Sequence, residues 1–527
     1  MRDYGKIGEN WYFFILSRAN IFCQCSAKLA LFCQALAKAE SRADTGELFS
    51  RPGALFTFPR RGFLGKSPAM NDPSPKNGES SPPPESASPS AAPPATFAAP
   101  RVVPYGDHPL RREMISREAL FVMDRLHEAG YKGYLCGGGV RDLLLGITPK
   151  DFDVVTDARP EEIRRVFRNC RIIGRRFRLA HVFFRNGTII ETATFRALLA
   201  GDEQTARAAE EAPLPSRRKP FAPDPTYATR EGLVVRDNVY GTAEEDARRR
   251  DFTVNGLFFD VADGSILDYV GGLDDLAARI LRVIGEPTER FREDPVRMIR
   301  AVRIASQLDF QIGPNAFAAA RENAAALAGC SHERMYEEVL KIRRCGHARE
   351  TFRRGWGLGL FQAVHPAISD AMRGEQGETL HAWVDKAFGQ FDRWRAAGLE
   401  AMPALQYALL FGPFIEQEAA ALTANGMGAF EAMETATAAV LRSPGDLTQI
   451  PKAVVLDAQL IMALQGQLAR AGEGSRYAER LRTRRGFDLA MVYLKFAASL
   501  DPARKPLLDR WLAGPIPETD WSAASPR

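Results

Sequence analysis

The chain has 527 residues, 45% of them hydrophobic and 26% charged, with a formal net charge of +5 at pH 7. That length exceeds what one hydrophobic core supports, so several domains are expected, and the composition is that of an ordinary soluble protein. The mild basicity is compatible with an anionic partner without proving one. The seven cysteines fall at irregular spacing, which excludes a disulfide framework. Cys23 and Cys25 have no second pair to complete a zinc site, so a reducing, cytoplasmic setting is expected. No apolar run reaches the ~18 residues of a membrane span.

In chain order, the first candidate helix, "WYFFILSRANIFCQCSAKLALFCQALAKA", is interrupted by Arg18, Gln24 and Lys28. "PRRGFLGK" resembles a twin-arginine export signal but is not succeeded by an apolar segment. The adjoining stretch, "SPAMNDPSPKNGESSPPPESASPSAAPPATFAAP", is rich in Pro, Ser and Ala and cannot build a core. Residues 1–103 are therefore expected to be a disordered, low-complexity extension, with Met70 an alternative start. Ordered sequence begins near Val103. "SREALFVMDRLHEAG" predicts a helix capped by Ser116 and stopped at Gly130. "GYLCG" reads as a buried strand, "VRDLLLG" as a helical turn, "DFDVVT" as a second strand and "RPEEIRRVFRN" as a helix with Pro160 in its first turn. "RIIGRRFRLAHVFF" and "TIIETATF" are β-rich. Residues 201–232, charged and Pro-rich, predict a mobile loop. Beyond Gly272 the strand signals vanish and segments such as "ERMYEEVLKIRR" and "AVVLDAQLIMALQGQLA" carry helical spacing. The fold class expected is therefore α+β, with a mixed-sheet head followed by an all-α remainder.

Chemistry concentrates in a few stretches. In "GGGVRD" the glycines match neither a dinucleotide fingerprint, because Asp142 stands where the last glycine belongs, nor a P-loop. They leave a tight strand-to-helix turn whose amides could approach a phosphate, with Arg141 in reach. A plain turn with Arg141 in a surface salt bridge explains the same residues. Asp151 and Asp153 in "KDFDVV" share one face of a strand, and two neighbouring carboxylates repel unless a divalent cation sits between them. A nucleotide-sugar site built on the same Asp-x-Asp spacing remains open. Asp251, after three arginines in "RRRDFTVNGLFFD", would make a third carboxylate for a two-metal site, with Glu191 as the alternative. Asp294 and Pro295 form an ordinary helix start, yet Arg297, Arg300 and Arg303 line one face of that helix and suit a triphosphate or a base edge. In "YVGGLDDL", a turn into a helix, Asp274 reads as structural. "IIGRRFRLAH" gathers Arg175, Arg176, Arg178 and His181, leaving its bases free for phosphates, and "RYAERLRTRRGF" gathers Arg480, Arg482, Arg484 and Arg485. His181 alone reads as a hydrogen-bonded core residue.

Together, "GGGVRD", "KDFDVV", "RRDFTVNGL", "YVGGLDDL", "EDPVRMIRAVR" and "ERMYEEVLKI" resemble, in order, the motifs of the class II nucleotidyltransferases, the family of tRNA CCA-adding enzymes and bacterial poly(A) polymerases. The resemblance covers the chain from about Val103 onward. "IIGRRFRLAH" looks like the segment that marks the poly(A) branch, whereas Gly139 stands where CCA-adding enzymes more often carry alanine, and the arginine-rich end is shorter and less basic than the branch leads one to expect. The resemblance implies a nucleotidyltransferase head (104–272), a helical neck (273–350), a body (351–460) and an RNA-binding C-terminal region (461–527). It implies Asp151, Asp153 and Asp251 as catalytic, the first two on Mg²⁺. Gly138, Arg141, Arg250, Asp294, Arg297 and Arg300 would hold the nucleotide, and Arg175, Arg176, Arg178, Arg484 and Arg485 the RNA. The activity implied is template-independent addition of AMP from ATP to RNA 3′ ends, with CCA addition to tRNA as the alternative. A monomer that meets RNA-decay proteins is expected.

Overall fold

The structure, a computed structural model, describes residues 100–174, 178–197, 227–228, 234–236, 240–471 and 476–513. The expected N-terminal extension lies outside the described residues up to residue 99, as do Arg175, Arg176 and most of the expected loop at 201–232. Tyr227–Ala228 (β7), inside that loop, pairs antiparallel with Val234–Arg236 (β8), just beyond it.

The head is an eight-stranded sheet in the order β1-β10-β9-β2-β3-β6-β5-β4. Its strands are Arg101–Val103 (β1), Tyr134–Cys136 (β2), Val154–Thr156 (β3), Cys170–Ile173 (β4), Leu179–Phe183 (β5), Ile189–Thr194 (β6), Leu257–Asp260 (β9) and Ile266–Asp268 (β10). Only the β3–β6 pairing is parallel; the others are antiparallel. Ordered structure thus starts slightly earlier than the composition suggests, because Arg101–Val103 pairs in register with β10.

One face of the sheet buries Leu135, Val154, Ala180, Val182 and Ile190 beneath Arg117–Glu128 (α1) and Pro160–Val166 (α3). Helix α1 starts where the sequence says, with Ser116 Oγ accepting the Ala119 amide hydrogen. Gly138–Leu144 (α2) adds Val140 and Leu143 to this core. The opposite face buries Cys136, Val155, Phe195 and Phe258 against Ala243 and Ala247 of Ala243–Arg249 (α4). That cover does not extend over the outer strands, where Ile173 and Ile189 are 39% and 46% exposed.

The rest of the described residues are mainly helical, with a two-residue parallel pairing of Ile280–Leu281 (β11) with Gln311–Ile312 (β12) and an isolated bridge of Val283 to Phe252. Gly272–Ala278 (α5), Pro287–Glu293 (α6), Val296–Leu308 (α7), Pro314–Glu322 (α8) and His332–Arg344 (α9) surround a core that includes Phe252, Phe291, Val302, Phe310 and Met335. Farther on, Ala348–Gly357 (α10), Gly377–Ala396 (α11) and Pro403–Ala424 (α12) supply the aromatics Phe352, Trp383, Phe391, Tyr407 and Phe411 to a larger core. Lys452–Arg470 (α13) links that core to a last cluster around Trp511, where Phe487–Leu500 (α14) packs. Among the described residues no helix is long and apolar enough to cross a membrane.

Candidate active site

Strand β2 ends at Cys136, and Gly137 turns the chain into α2 with φ at +66°, in the left-handed half of backbone space that glycine tolerates. A β-carbon at Gly137 would also come 3.0 Å from Arg250 Nη1. A β-carbon at Gly138 would stand 3.5 Å from Arg141 Nη2, in ordinary contact, so this glycine lies directly beside that guanidinium. Arg141 is largely buried. It donates to Asp142 Oδ1 at 2.7 Å and to Asn255 Oδ1 at 2.6 Å. The salt bridge that a plain turn predicts is therefore present, but it is an inward one.

Asp151 and Asp153 arrive from the loop after α2. The strand expected over "DFDVVT" begins only at Val154, so the two aspartates precede it rather than lie in it. The Cys136 amide donates to the Asp153 carbonyl at 3.1 Å, which ties the segment to the glycine turn. Both carboxylates are exposed, and among the described residues neither is engaged by a hydrogen bond or an ion pair. Water displaced by the surrounding protein pushes the Asp153 carboxyl up to about 6. The charge of Glu191 adds to this, Arg250 opposes it, and Asp151 adds again. Glu191 is placed to do so because β3 runs parallel to β6 with Val154 opposite Thr192. One step back in both strands, Asp153 neighbours Glu191 on the α4 side of the sheet.

Asp251, expected as the third carboxylate, is committed elsewhere, and it does not figure among the charges that act on Asp153. Its Oδ2 accepts from Arg300 Nε and Nη2 at 2.9 and 2.7 Å, and its Oδ1 accepts from the Phe252 amide and Asn255 Nδ2 at 2.8 and 3.0 Å. Burial alone would raise this carboxyl, but the charge of Arg300 and the hydrogen bonds from Asn255 and Arg300 outweigh it and hold the group far below the usual range. Glu191, the alternative third carboxylate, is the one whose charge acts on Asp153.

The arginines expected around the nucleotide are likewise paired. Arg250 binds Asp246 through Nε and Nη2 at 3.0 and 2.8 Å and lies over the Phe258 ring. Arg297 donates to the Arg290 carbonyl and to Glu293 at 2.9 and 3.0 Å. Asp294 does not cap α7: its two oxygens accept from Arg334 at 2.7 and 2.6 Å, an attraction stronger than a neutral cap. Arg300 also lies 3.9 Å from Glu338, a buried acid shared with Arg303 and Lys341. Sequence reasoning does not single out Asn255, Arg334 or Glu338, although each lies within one of the six family motifs. Asp274, expected to be structural, is exposed in a pair with Arg101; its neighbour Asp275 is buried, accepting from Thr253 and Arg282.

The RNA candidates are not gathered into one patch by any contact among the described residues. Arg178 pairs with Glu161 at 2.6 Å rather than standing free. Arg484 donates to Gln467 at 2.6 Å, and Arg485 reaches Asp457 at 2.6 Å while remaining 66% exposed.

The donors at Asp151, Asp153 and Glu191 fit a hard divalent cation: they are oxygen ligands, and the charges of Glu191 and Asp151 both act on Asp153, against which only Arg250 is opposed. Among the described residues no three His, Cys, Asp or Glu side chains are gathered closely enough to form a finished cage. Mutual repulsion of bare carboxylates works against such convergence.

Two family models match this chain: one described as the poly A polymerase head domain, over residues 133–282, and one described as a probable RNA and SrmB-binding site of polymerase A, over residues 309–372. Poly(A) polymerase I of Salmonella typhi is 36% identical over 438 residues, covering 79% of this chain and 90% of the relative. A CCA-adding enzyme of Bacillus licheniformis is 34% identical over 236 residues, covering 44% of this chain and 52% of the relative. Among solved structures, the Bacillus stearothermophilus CCA-adding enzyme in complex with CTP aligns with a TM-score of 0.49 at 26% identity, covering 76% of this chain and 82% of that one. Since the match to the Salmonella enzyme extends over nearly all of that relative, the chain belongs to the family of bacterial poly(A) polymerases.

Proposed function

We propose that this chain is a template-independent RNA adenylyltransferase that transfers AMP from ATP to RNA 3′ ends in the cytoplasm, in the service of mRNA processing and decay. The observation that carries the reading is the pair of unengaged carboxylates, Asp151 and Asp153, tied to the Gly137–Arg141 turn in a chain of this family. Asp151, Asp153 and Glu191 would hold Mg²⁺. When bound in a pair, such ions make the RNA 3′-hydroxyl a better nucleophile and neutralise charge on the triphosphate.

The reaction forms a bond from the RNA 3′-oxygen to the α-phosphorus of ATP and breaks the bond from that phosphorus to the departing pyrophosphate. Gly138 leaves the triphosphate room beside Arg141, and Arg141 contributes positive charge there. Arg250, fixed by Asp246, braces the Gly137 turn from beneath. Arg300 acts at one remove, by holding Asp251 and through it Asn255, which orients Arg141.

Without a template, base choice rests on protein groups, because a hydrogen-bonding pocket rejects a base that leaves its polar atoms unpaired. Asp294 and Arg297 are the candidates, with Arg334 fixing the Asp294 carboxylate. We assign transfer to the head (104–272, with β1 added), nucleotide selection to the neck (273–350), support to the body (351–460), and RNA contacts to Arg175, Arg176, Arg178 and the C-terminal region (461–527, with Arg484 and Arg485). The segment 309–372 joins the RNA-contacting surface on the strength of its family description.

Asp153→Ala is the test. AMP incorporation into a generic RNA should vanish while the unfolding transition persists, and near-wild-type incorporation would overturn the mechanism. Long A-tails from ATP alone on generic RNA are the expected product. Additions of three residues restricted to tRNA would assign the chain to CCA addition instead.

A further inference from the structure

A row of side chains crosses the sheet outward from Asp153. Glu191 in β6 neighbours it; His181 in β5 stands directly opposite Glu191; and Arg171 in β4 stands directly opposite His181. Residues so opposed bring their β-carbons to roughly 5 Å, close enough for their side chains to act on one another. His181 Nε2 lies 3.4 Å from Glu191 Oε1. That nitrogen is buried and makes no hydrogen bond, whereas the Glu191 side chain is 51% exposed and free to swing. The imidazole ring is packed edge-on against Phe183 with centroids 6.2 Å apart, and Arg171 lies over the same Phe183 ring at 5.7 Å. The ring is held and the carboxylate is not, so the ring can serve as the fixed reference.

We propose that His181 is a positioning residue whose Nε2–H group donates to Glu191 and turns that carboxylate toward Asp153, completing the oxygen set for the cation. The segment "IIGRRFRLAH" would then act on the transfer centre through its last residue as well as on RNA through its arginines. Outer groups that hydrogen-bond to ligating carboxylates fix their orientation, and losing one typically lowers metal affinity about 10- to 100-fold. This inference rests on the reading of Asp151 and Asp153 as cation ligands.

The experiment compares His181→Phe, which keeps a ring but removes the donor, with His181→Gln, whose amide can donate from a similar reach. The readout is Mn²⁺ binding to the full chain without RNA or ATP, followed by electron paramagnetic resonance. His181→Phe should bind Mn²⁺ about tenfold more weakly or worse, while His181→Gln stays within about threefold of the wild type. In steady-state assays the Phe variant should need correspondingly more Mg²⁺ for half-maximal rate, with KM for RNA unchanged. Wild-type Mn²⁺ affinity in His181→Phe would overturn the proposal. So would equal weakening in both variants, or failure of both to fold, since each would assign the position to packing. Asp153→Ala serves as the reference: undiminished Mn²⁺ binding there would sink the underlying reading of the site, independently of His181.

Discussion

Replacing Asp251 with asparagine separates a structural carboxylate from a cation ligand. In the wild type both oxygens are saturated, by two donors of Arg300, the Phe252 amide and Asn255. The asparagine keeps the shape but removes the charge, leaving Arg300 to the more distant charges of Glu338, 3.9 Å away, and Asp294. Removing one partner of a buried ion pair typically costs about 3–5 kcal/mol. For a cooperative unit of roughly 200 residues this corresponds to a fall in Tm of about 10 °C. The assay is thermal and urea unfolding beside a Mn²⁺ titration performed at low temperature, where the variant is folded. The expected result is a large stability loss with Mn²⁺ affinity within about threefold of wild type, well short of the 10- to 100-fold that losing even an outer partner of a metal ligand costs. Because the Asp251 carboxyl is held well below its unfolded value of about 3.9, its contribution is fully present above that pH and fades as pH falls below it. The gap between variant and wild type should therefore narrow below about pH 4. Unchanged stability together with lost Mn²⁺ affinity would refute this placement and restore Asp251 as a ligand.

Asp153→Asn should abolish AMP incorporation yet raise stability at pH 7. Its carboxyl, pushed up to about 6, binds protons more tightly in the folded state, so the wild type loses stability as pH rises from about 4 to 6. Solvent screening at this exposed position limits the gain to about 1 kcal/mol, and a destabilised variant would contradict the assigned loss of hydration and the repulsion from Glu191. Arg334→Ala frees the Asp294 carboxylate and should lower the ATP-over-CTP ratio of kcat/KM by about tenfold, equivalent to roughly 1.4 kcal/mol; an unchanged ratio would remove Arg334 from nucleotide selection. Gly139→Ala places a β-carbon 3.4 Å from Leu135 Cδ1 in ordinary contact. Unfolding curves should show it neutral or stabilising by up to about 1 kcal/mol, with no change in product. A switch of that variant to CCA addition would show that this position decides the branch.

Local signals were legible. The Ser116 cap, Pro160 in the first turn of α3 and the Gly137 turn depend on neighbours within a few residues, and the structure places each where the sequence does. The sequence offered Asp251 and Glu191 as alternative third carboxylates, but the choice between them was not legible, because it is settled across the sheet and between helices. Glu191 reaches Asp153 only through the parallel β3–β6 pairing, and spacing along one strand carries no trace of its neighbour. Asp251 carries the right chemistry for a ligand, but Arg300, far along the chain, claims it. Asp294 looks like a cap because Pro295 follows it, yet a guanidinium from α9 offers two charged hydrogen bonds where the helix offers one neutral group. The motifs therefore marked where the site lies, and tertiary pairing distributed the roles within it.

The polar chain that begins at Arg141 has a thermodynamic consequence. It passes through Asn255 and Asp251 to Arg300 and ends on Glu338 in α9. The glycine turn and a helix some two hundred residues later in the sequence are thus joined by a run of hydrogen bonds that ends in a longer ion contact. If, as proposed, a nucleotide draws Arg141 away from Asn255, the grip on Asp251 would loosen and the change would be passed toward Glu338. Linkage would then make the relation reciprocal: a ligand that changes nucleotide affinity by shifting the seating of α9 would have its own affinity changed by the nucleotide by the same factor.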